Sequence, residues 1–425
     1  MTTRPYLSVV ATARNDNHGG NMLRRMQIFV NGLIEQARRY QLPTELIIVE
    51  WNPVSDRPRL TEALTWDVQD SPCTVRVIEV PPEQHQTLRY AEALPLFQMI
   101  AKNVGIRRAQ GEFVLATNID LLFSDGLFEF LASRQMRPGV SYRMDRYDVR
   151  ADVPLEAPLS DQLEFCDRNI LRINHKTGIE ELDLPPVALP EPEPVAIEPE
   201  PPATPKLYER IPESSLPLLS RVRRLYKQLL PTPVRDGILR LMPKDATEWL
   251  IEKGLLTKQD PPPPPPTPEP IAIEPPPPPP WQYPQLHTNA CGDFTLMSKH
   301  DWDRIRGYPE WEIFSFHLDS VLLYVAHYAG IQEEILTDPM RVYHVEHASG
   351  WSPQVERDQS LNKRLAKLKI PQLSFEQFDA IARLMEQTGQ PLIVNHADWG
   401  MVAVDLPETT IQPEVRDRAE ATTAQ

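Results

Sequence analysis

Cysteine is scarce. Three residues, Cys73, Cys166 and Cys291, are spread over 425 positions. Their odd number and wide spacing argue against a disulfide framework, and the lack of any CxxC pair argues against a zinc knuckle. A reducing compartment fits. Positive charge is also short: 44 Lys and Arg against 59 Asp and Glu give a formal net charge of -15. That makes a general nucleic-acid binder a poor fit, because such proteins neutralise phosphates with a basic face. No apolar run is long enough to span a bilayer. The opening MTTRPYLSVVATARND lacks a signal-peptide pattern, since Arg4 and Pro5 lead straight into a strand-like run. The cytoplasm is the expected location. No GxGxxG is present, which disfavours a dinucleotide fold, and no HExxH helix supports a metallohydrolase.

What is abundant is apolar sequence and proline. Hydrophobic residues make up 41% of the chain, enough for a large core and a soluble globular protein. The 47 prolines are about twice the ordinary share and concentrate in the middle. PPVALPEPEPVAIEPEPPATP and PPPPPPTPEPIAIEPPPPPP share a VAIEP/IAIEP unit and read as extended polyproline spacer. Between them a helical module is expected at 207–258. LPLLSRVRRLYKQLL sets Leu218, Leu219, Val222, Leu225, Tyr226 and Leu229 on one side, with Arg221, Arg223, Arg224 and Lys227 on much of the rest. Such a helix can pack within its module or lie on an anionic membrane or a protein partner. The expected divisions are a first domain half at 1–180, linkers at 181–206 and 259–280 around the module, a second half at 281–407, and a disordered tail at 408–425.

The first half alternates strand and helix. YLSVVATA, ELIIVEW, TVRVIEV and EFVLATNID read as strands. NMLRRMQIFVNGLIEQARRY reads as a helix with Met22, Met26, Val30, Leu33 and Ala37 on one face, and LPLFQMIAKNVGIRRAQ as another. Continuous apolar runs such as LIIV predict strands buried on both faces, hence an α/β fold with a mostly parallel sheet flanked by helices. In the second half, NACGDFTLMSKHDWDRIRGYPE reads as strand then helix, SFHLDSVLLYVAHYAGI as helix, and RVYHVEH as a strand running out to a loop.

Ligands of open parallel sheets gather beyond the carboxyl ends of the strands. Those ends are ARNDNHGG, EWNP and TNID. Gly19 and Gly20 would let the backbone approach a ligand. Asp16 or Asn17 can equally cap the following helix. Asp120, at the end of an apolar strand, needs a metal or cation as partner, or caps a turn. On a strand it would face the same way as Asn118. His344 and His347 lie three apart, so both can bind one ion only if the chain bends between them; His347 ranks first. Glu346 is expected in solvent. Asp145, Arg146 and Asp148 can line a pocket or form salt bridges. Trp302, Trp311 and Trp351 can stack on sugars or pack in the core.

AKNVGIRRAQGEFVLATNIDLLF resembles the segment around the acidic metal motif of nucleotide-sugar glycosyltransferases of GT-A fold, with Asn118 in the first motif position and Asp120 in the last. GDFTLMSKHDWDRIRGYPE followed by FSFHLDSVLLYVAHYAG is similar to the C-terminal region of galactosyltransferase-type members. The resemblance spans roughly 6–147 and 287–351. It implies a Rossmann-related GT-A domain carrying the proline-armed insert, and a hexosyltransferase-like activity. The donor would be a nucleotide-diphosphate sugar and the acceptor a hydroxyl of a glycan, lipid or protein, with inversion. It implies a divalent ion, Mn2+ or Mg2+, on Asp120, His347 and His344, and Asp319 as base. Substrate contacts would come from Arg14, Asn15, Asp16, Glu50, Asn52, Asn103, Asn118, Gly292 and Asp293. Because the acidic motifs are reduced, a nucleotide-binding or scaffolding protein without catalysis is the alternative.

Overall fold

The four apolar runs of the first half form a parallel sheet core. In the computed structural model, which describes residues 4–182, 283–347 and 362–412, these strands are β1 (Leu7–Ala13), β2 (Thr44–Trp51), β3 (Cys73–Val80) and β4 (Phe113–Thr117). They lie side by side in the order β4-β1-β2-β3, all parallel. Every residue of β1 and β2 is buried. Successive side chains go to opposite faces: Val10, Ile47 and Val49 join one core, while Val9, Leu46 and Ile48 join the other.

Helices cover both faces, as the unbroken apolar runs require. One core takes up α1 (Met22–Arg39) and α5 (Asp125–Ala132). Met22, Met26, Val30, Leu33 and Ala37 of α1 are all buried there. The other core takes up α4 (Gln98–Arg108), α7 (Lys299–Ile305), α8 (Leu318–Tyr328) and α9 (Phe375–Thr388). Single-turn helices α2 (Leu60–Ala63) and α3 (Pro82–His85) follow β2 and β3.

The second half of the chain widens this sheet. Strand β10 (Phe294–Ser298) pairs antiparallel with β4, β6 (Val140–Met144) pairs with β10, and β11 (Gln332–Leu336) lies parallel on β6. At the far edge, β13 (Glu408–Ile411) runs antiparallel to β3. This corrects the expected start of the disordered tail. Arg76 of β3 grips the Glu408 carboxylate at 2.6 Å while also pairing with Glu45, and the TTI run suits an edge strand. The proline arms, the helical module, Trp351 and the rest of the tail lie outside the described residues.

A second sheet, not anticipated from the sequence, has the order β5-β12-β7-β8-β9. Its strands are β5 (Leu121–Phe123), β12 (Val342–Val345), β7 (Arg146–Val149), β8 (Ile170–His175) and β9 (Gly178–Glu181). Helix α6 (Leu159–Arg168) packs with it through Leu159, Leu163 and Cys166. Because β1 has β2 on one side and β4 on the other, the connection reverses direction there. This creates a crevice beyond the ends of β1 and β4, where open α/β sheets bind ligands.

The contact of α4 with the sheet depends on Gly105. A Cβ at that position would lie 2.5 Å from Val10 Cγ1 and 3.2 Å from Val49 Cγ2. Alanine would add about 1 kcal/mol of helix propensity, but overpacking costs about 1–3 kcal/mol. Gly105→Ala is therefore expected to lower the urea midpoint. An unchanged or raised midpoint would mean that α4 is not seated this closely.

Candidate metal centre

Strand pairing assembles the centre. Strand β4 ends at Thr117, and the chain passes through Asn118, Ile119 and Asp120 before β5 begins. Strand β12 lies antiparallel on β5 with His344 opposite Leu121. The Val345 N–H donates to the Asp120 carbonyl at 2.9 Å. This register places the imidazoles of β12 beside the Asp120 side chain. The strand stops at Val345, and both imidazoles reach one carboxylate.

His347 Nε2 is 3.1 Å from Asp120 Oδ2, and His344 Nε2 is 3.7 Å from the same oxygen. One ligand atom from each of the three residues falls within a 4.8 Å group. Asp120 is 6% exposed, and its Oδ1 has no hydrogen-bond partner among the described residues. An orphaned carboxylate oxygen at such depth is costly. Beside two imidazoles, it fits a divalent cation, and the nitrogen–oxygen set suits a first-row transition metal. Burial opposes ionisation of Asp120, yet His344, His347 and Arg25 together hold its carboxyl well below the usual range.

Arg25 was not foreseen. It sits on the buried face of α1 between Met22 and Met26, and its Nη1 donates to Asp120 Oδ2 at 2.8 Å. Its Nη2 donates to the His18 carbonyl at 2.5 Å, and Gly20 accepts at 3.3 Å. Gly19 and Gly20, both at positive φ, give the loop the shape that presents these carbonyls. The clue in the sequence was a charged residue inside an otherwise apolar helical stripe. Asn17 caps the same helix from a distance, its Oδ1 accepting from the Met22 N–H at 3.2 Å; Asp16 instead pairs with Arg14 at 3.0 Å.

Several expected contacts are in use elsewhere. Asn118 and Asp120 lie between β4 and β5, outside both strands, so strand alternation does not set their directions. The Asn118 amide donates to Asp293 and its oxygen accepts from Gln98 at 3.0 Å. Asn103 is fully buried on α4; it donates to the Tyr308 carbonyl and Glu310 and accepts from the Tyr308 N–H. It therefore fastens the segment after α7 to α4. Asn15 donates to the Pro58 carbonyl at 2.9 Å, Arg14 to the Asn52 carbonyl at 2.7 Å, and Asn52 to the Pro95 carbonyl at 3.2 Å.

Glu346 is the clearest correction. It is buried and ion-paired with Arg172, because β7 and β8 supply a cation at the place where solvent was expected. Salt bridging also accounts for the YRMDRYDVR segment. Arg146 joins Asp148 at 2.7 Å to Asp293 at 2.5 Å, and Asp145 accepts from His175 and His287. Trp302 is core, its indole donating to the Val114 carbonyl at 2.9 Å; Trp311 is partly buried against the same core.

Asp319, in the first turn of α8, is half-buried. It packs on Gly292 so closely that a Cβ there would lie 2.9 Å from Asp319 Oδ2. The buried Lys102 ammonium donates to the Gly292 carbonyl at 2.6 Å. Burial pushes its pKa down to about 8, against the pull of Asp293, Asp319 and Asp120.

Against known proteins, no family model matches the chain, and no curated protein matches it. Among solved structures, the galactosyltransferase LgtC in complex with donor and acceptor sugar analogs is similar over 34% of this chain and 47% of its own, at 15% identity and a TM-score of 0.22. Less than half of that enzyme is matched.

Glu50, at the end of β2, gives a test outside the centre. It is 1% exposed, its Oε2 accepts from the Leu60 N–H at 3.0 Å, and burial raises its pKa from 4.5 to about 7. The folded chain thus holds a proton that the unfolded chain releases, so stability falls as pH rises from 4.5 to 7. The loss is at most about 3 kcal/mol. Glu50→Gln keeps an acceptor for Leu60. It is expected to raise the melting temperature by several degrees at pH 8 and to give no gain at pH 4; equal shifts at both would exclude a buried ionisation.

Proposed function

We propose that this chain is a metal-dependent glycosyltransferase that moves a sugar from a nucleotide-diphosphate donor to an acceptor hydroxyl. The observation that carries the reading is the convergence of Asp120, from the end of the β4 segment, with His344 and His347 at the β1–β4 crevice. The motif resemblance around Asn118–Asp120 agrees with it. Mn2+ or Mg2+ would be held by Asp120, His344 and His347, and when bound supplies Lewis-acid stabilisation of the charge on the departing diphosphate.

The protein residues divide the remaining work. Arg25 holds a fixed positive charge next to Asp120 and would stabilise charge growing on a departing diphosphate. Gly292 lets Asp319 approach the backbone so closely that a Cβ there would lie 2.9 Å from Asp319 Oδ2. Asp319 would accept the proton of the acceptor hydroxyl as its oxygen bonds to the anomeric carbon and the bond to the diphosphate oxygen breaks. Displacement from the face opposite the leaving group gives inversion.

Arg25 also favours a second reading. A guanidinium on Asp120 Oδ2 already neutralises the acid, as it would in a nucleotide-binding protein that has dispensed with catalysis. The two readings separate in one experiment: thermal shift with nucleotide sugars, with and without Mn2+, followed by a transfer assay. Metal-dependent stabilisation, release of nucleoside diphosphate and a loss of at least about 100-fold in rate for Asp120→Asn are expected. Nucleotide binding without turnover would select the second reading. Absence of any nucleotide-sugar binding would remove both. Folding of the variant is checked separately, since Arg25 loses its buried partner charge and about 3–5 kcal/mol is at stake.

A further inference from the structure

His344 meets two carboxylates. Its Nε2 faces Asp120, and its Nδ1 lies 3.1 Å from Asp148 Oδ1. The second contact follows from strand register, because β12 runs parallel to β7 and His344 and Asp148 are Cα partners. Asp148 is itself immobilised. It is 0% exposed, and its Oδ2 accepts from Arg172 Nε at 2.5 Å, Asn174 Nδ2 at 3.1 Å and Arg146 Nη2 at 3.1 Å. Arg146 and Arg172 are tied in turn to Asp293 and Glu346.

We propose that Asp148 is a positioning residue of the metal centre: it holds the proton of His344 on Nδ1 and so presents the Nε2 lone pair to the ion. The inference rests on the metal-centre reading and makes His344 a prearranged ligand. A carboxylate behind a ligating imidazole fixes both the tautomer and the ring plane. In this chain that carboxylate cannot turn away, because two guanidiniums and an amide hold its other oxygen. Asp148 Oδ1 faces both His344 Nδ1 and Arg146 Nε, the latter at 2.7 Å, so the arginine that anchors the carboxylate also sits beside the oxygen that meets the histidine.

The test is a double-mutant cycle read by Co2+ titration of the full chain, using the visible absorption of bound Co2+. Asp148→Asn should weaken Co2+ binding about 10- to 100-fold, and His344→Ala by at least as much. The double variant should be no weaker than His344→Ala, within about twofold, because Asp148 acts only through His344. An unchanged affinity in Asp148→Asn would overturn the proposal, as would an equal loss in the His344→Ala background. If the unsubstituted chain binds no Co2+, the metal centre falls and this inference with it. Should Asp148→Asn fail to fold, 15N spectra of the Zn2+-loaded unsubstituted chain decide. A metal-bound Nε2 with a protonated Nδ1 at His344 supports the proposal, and Nδ1 ligation or an unligated His344 overturns it.

Discussion

The antiparallel pairing of β5 with β12 is the constraint on which the centre depends. Three residues of β12 are registered against three of β5, and one further hydrogen bond joins Val345 to the Asp120 carbonyl. Side chains alternate along a strand, so a slip of one residue would turn His344 to the opposite face and remove it from Asp120. The register is held by what lies beneath: Val342 and Phe123 enter one core, while Tyr343, Val345 and Leu122 enter another. Apolar burial on both sides therefore fixes a polar arrangement between them. The centre is a consequence of packing before it is a consequence of charge.

Charge then decides the details. Asp148, Arg146, Arg172, Glu346, Asp293 and Asp120 are all largely buried and linked in pairs. Replacing such a network with apolar residues would often stabilise a fold, so its presence is poor evidence for stability. Its value lies in direction. Each carboxylate has a defined set of donors, and the unmatched atom, Asp120 Oδ1, stands where the imidazoles converge. Among the carboxylates of this network it is the one buried oxygen without a hydrogen-bond partner among the described residues, which makes it informative.

The first half of the fold was legible because its signals were local. Runs such as LIIV and VVATA state their burial directly, and the α1 stripe reproduces the helical period residue by residue. Asp120 and the histidines were named together through the motif resemblance, because an acid after an apolar strand and two nearby imidazoles are each weak signals alone. Their meeting was only a wager, since pairing of β12 with β5 is a long-range fact that no window of sequence contains. The second sheet was missed for the same reason: β7, β8 and β9 are short, polar on one side and stabilised by partners far away in the chain. Glu346 was placed in solvent because strand alternation gives a side chain its direction and not its neighbour. Asn103 and Asn118, named from motif position alone, each bond backbone or side-chain groups of the 290–310 region.

Arg25 brings these strands of argument together. A guanidinium 2.8 Å from Asp120 Oδ2 repels any divalent ion nearby, and that repulsion is strong in a site so poorly solvated. Two imidazoles and the free Oδ1 act in the opposite sense. An ion bound here would thus be held less tightly than the ligand set alone implies, and would gain from the arrival of a polyanion that compensates both positive charges at once. Diphosphate is such a polyanion. Under the proposed function, the arginine that would lower affinity for the ion alone would raise affinity for ion and diphosphate together, coupling the two by electrostatics.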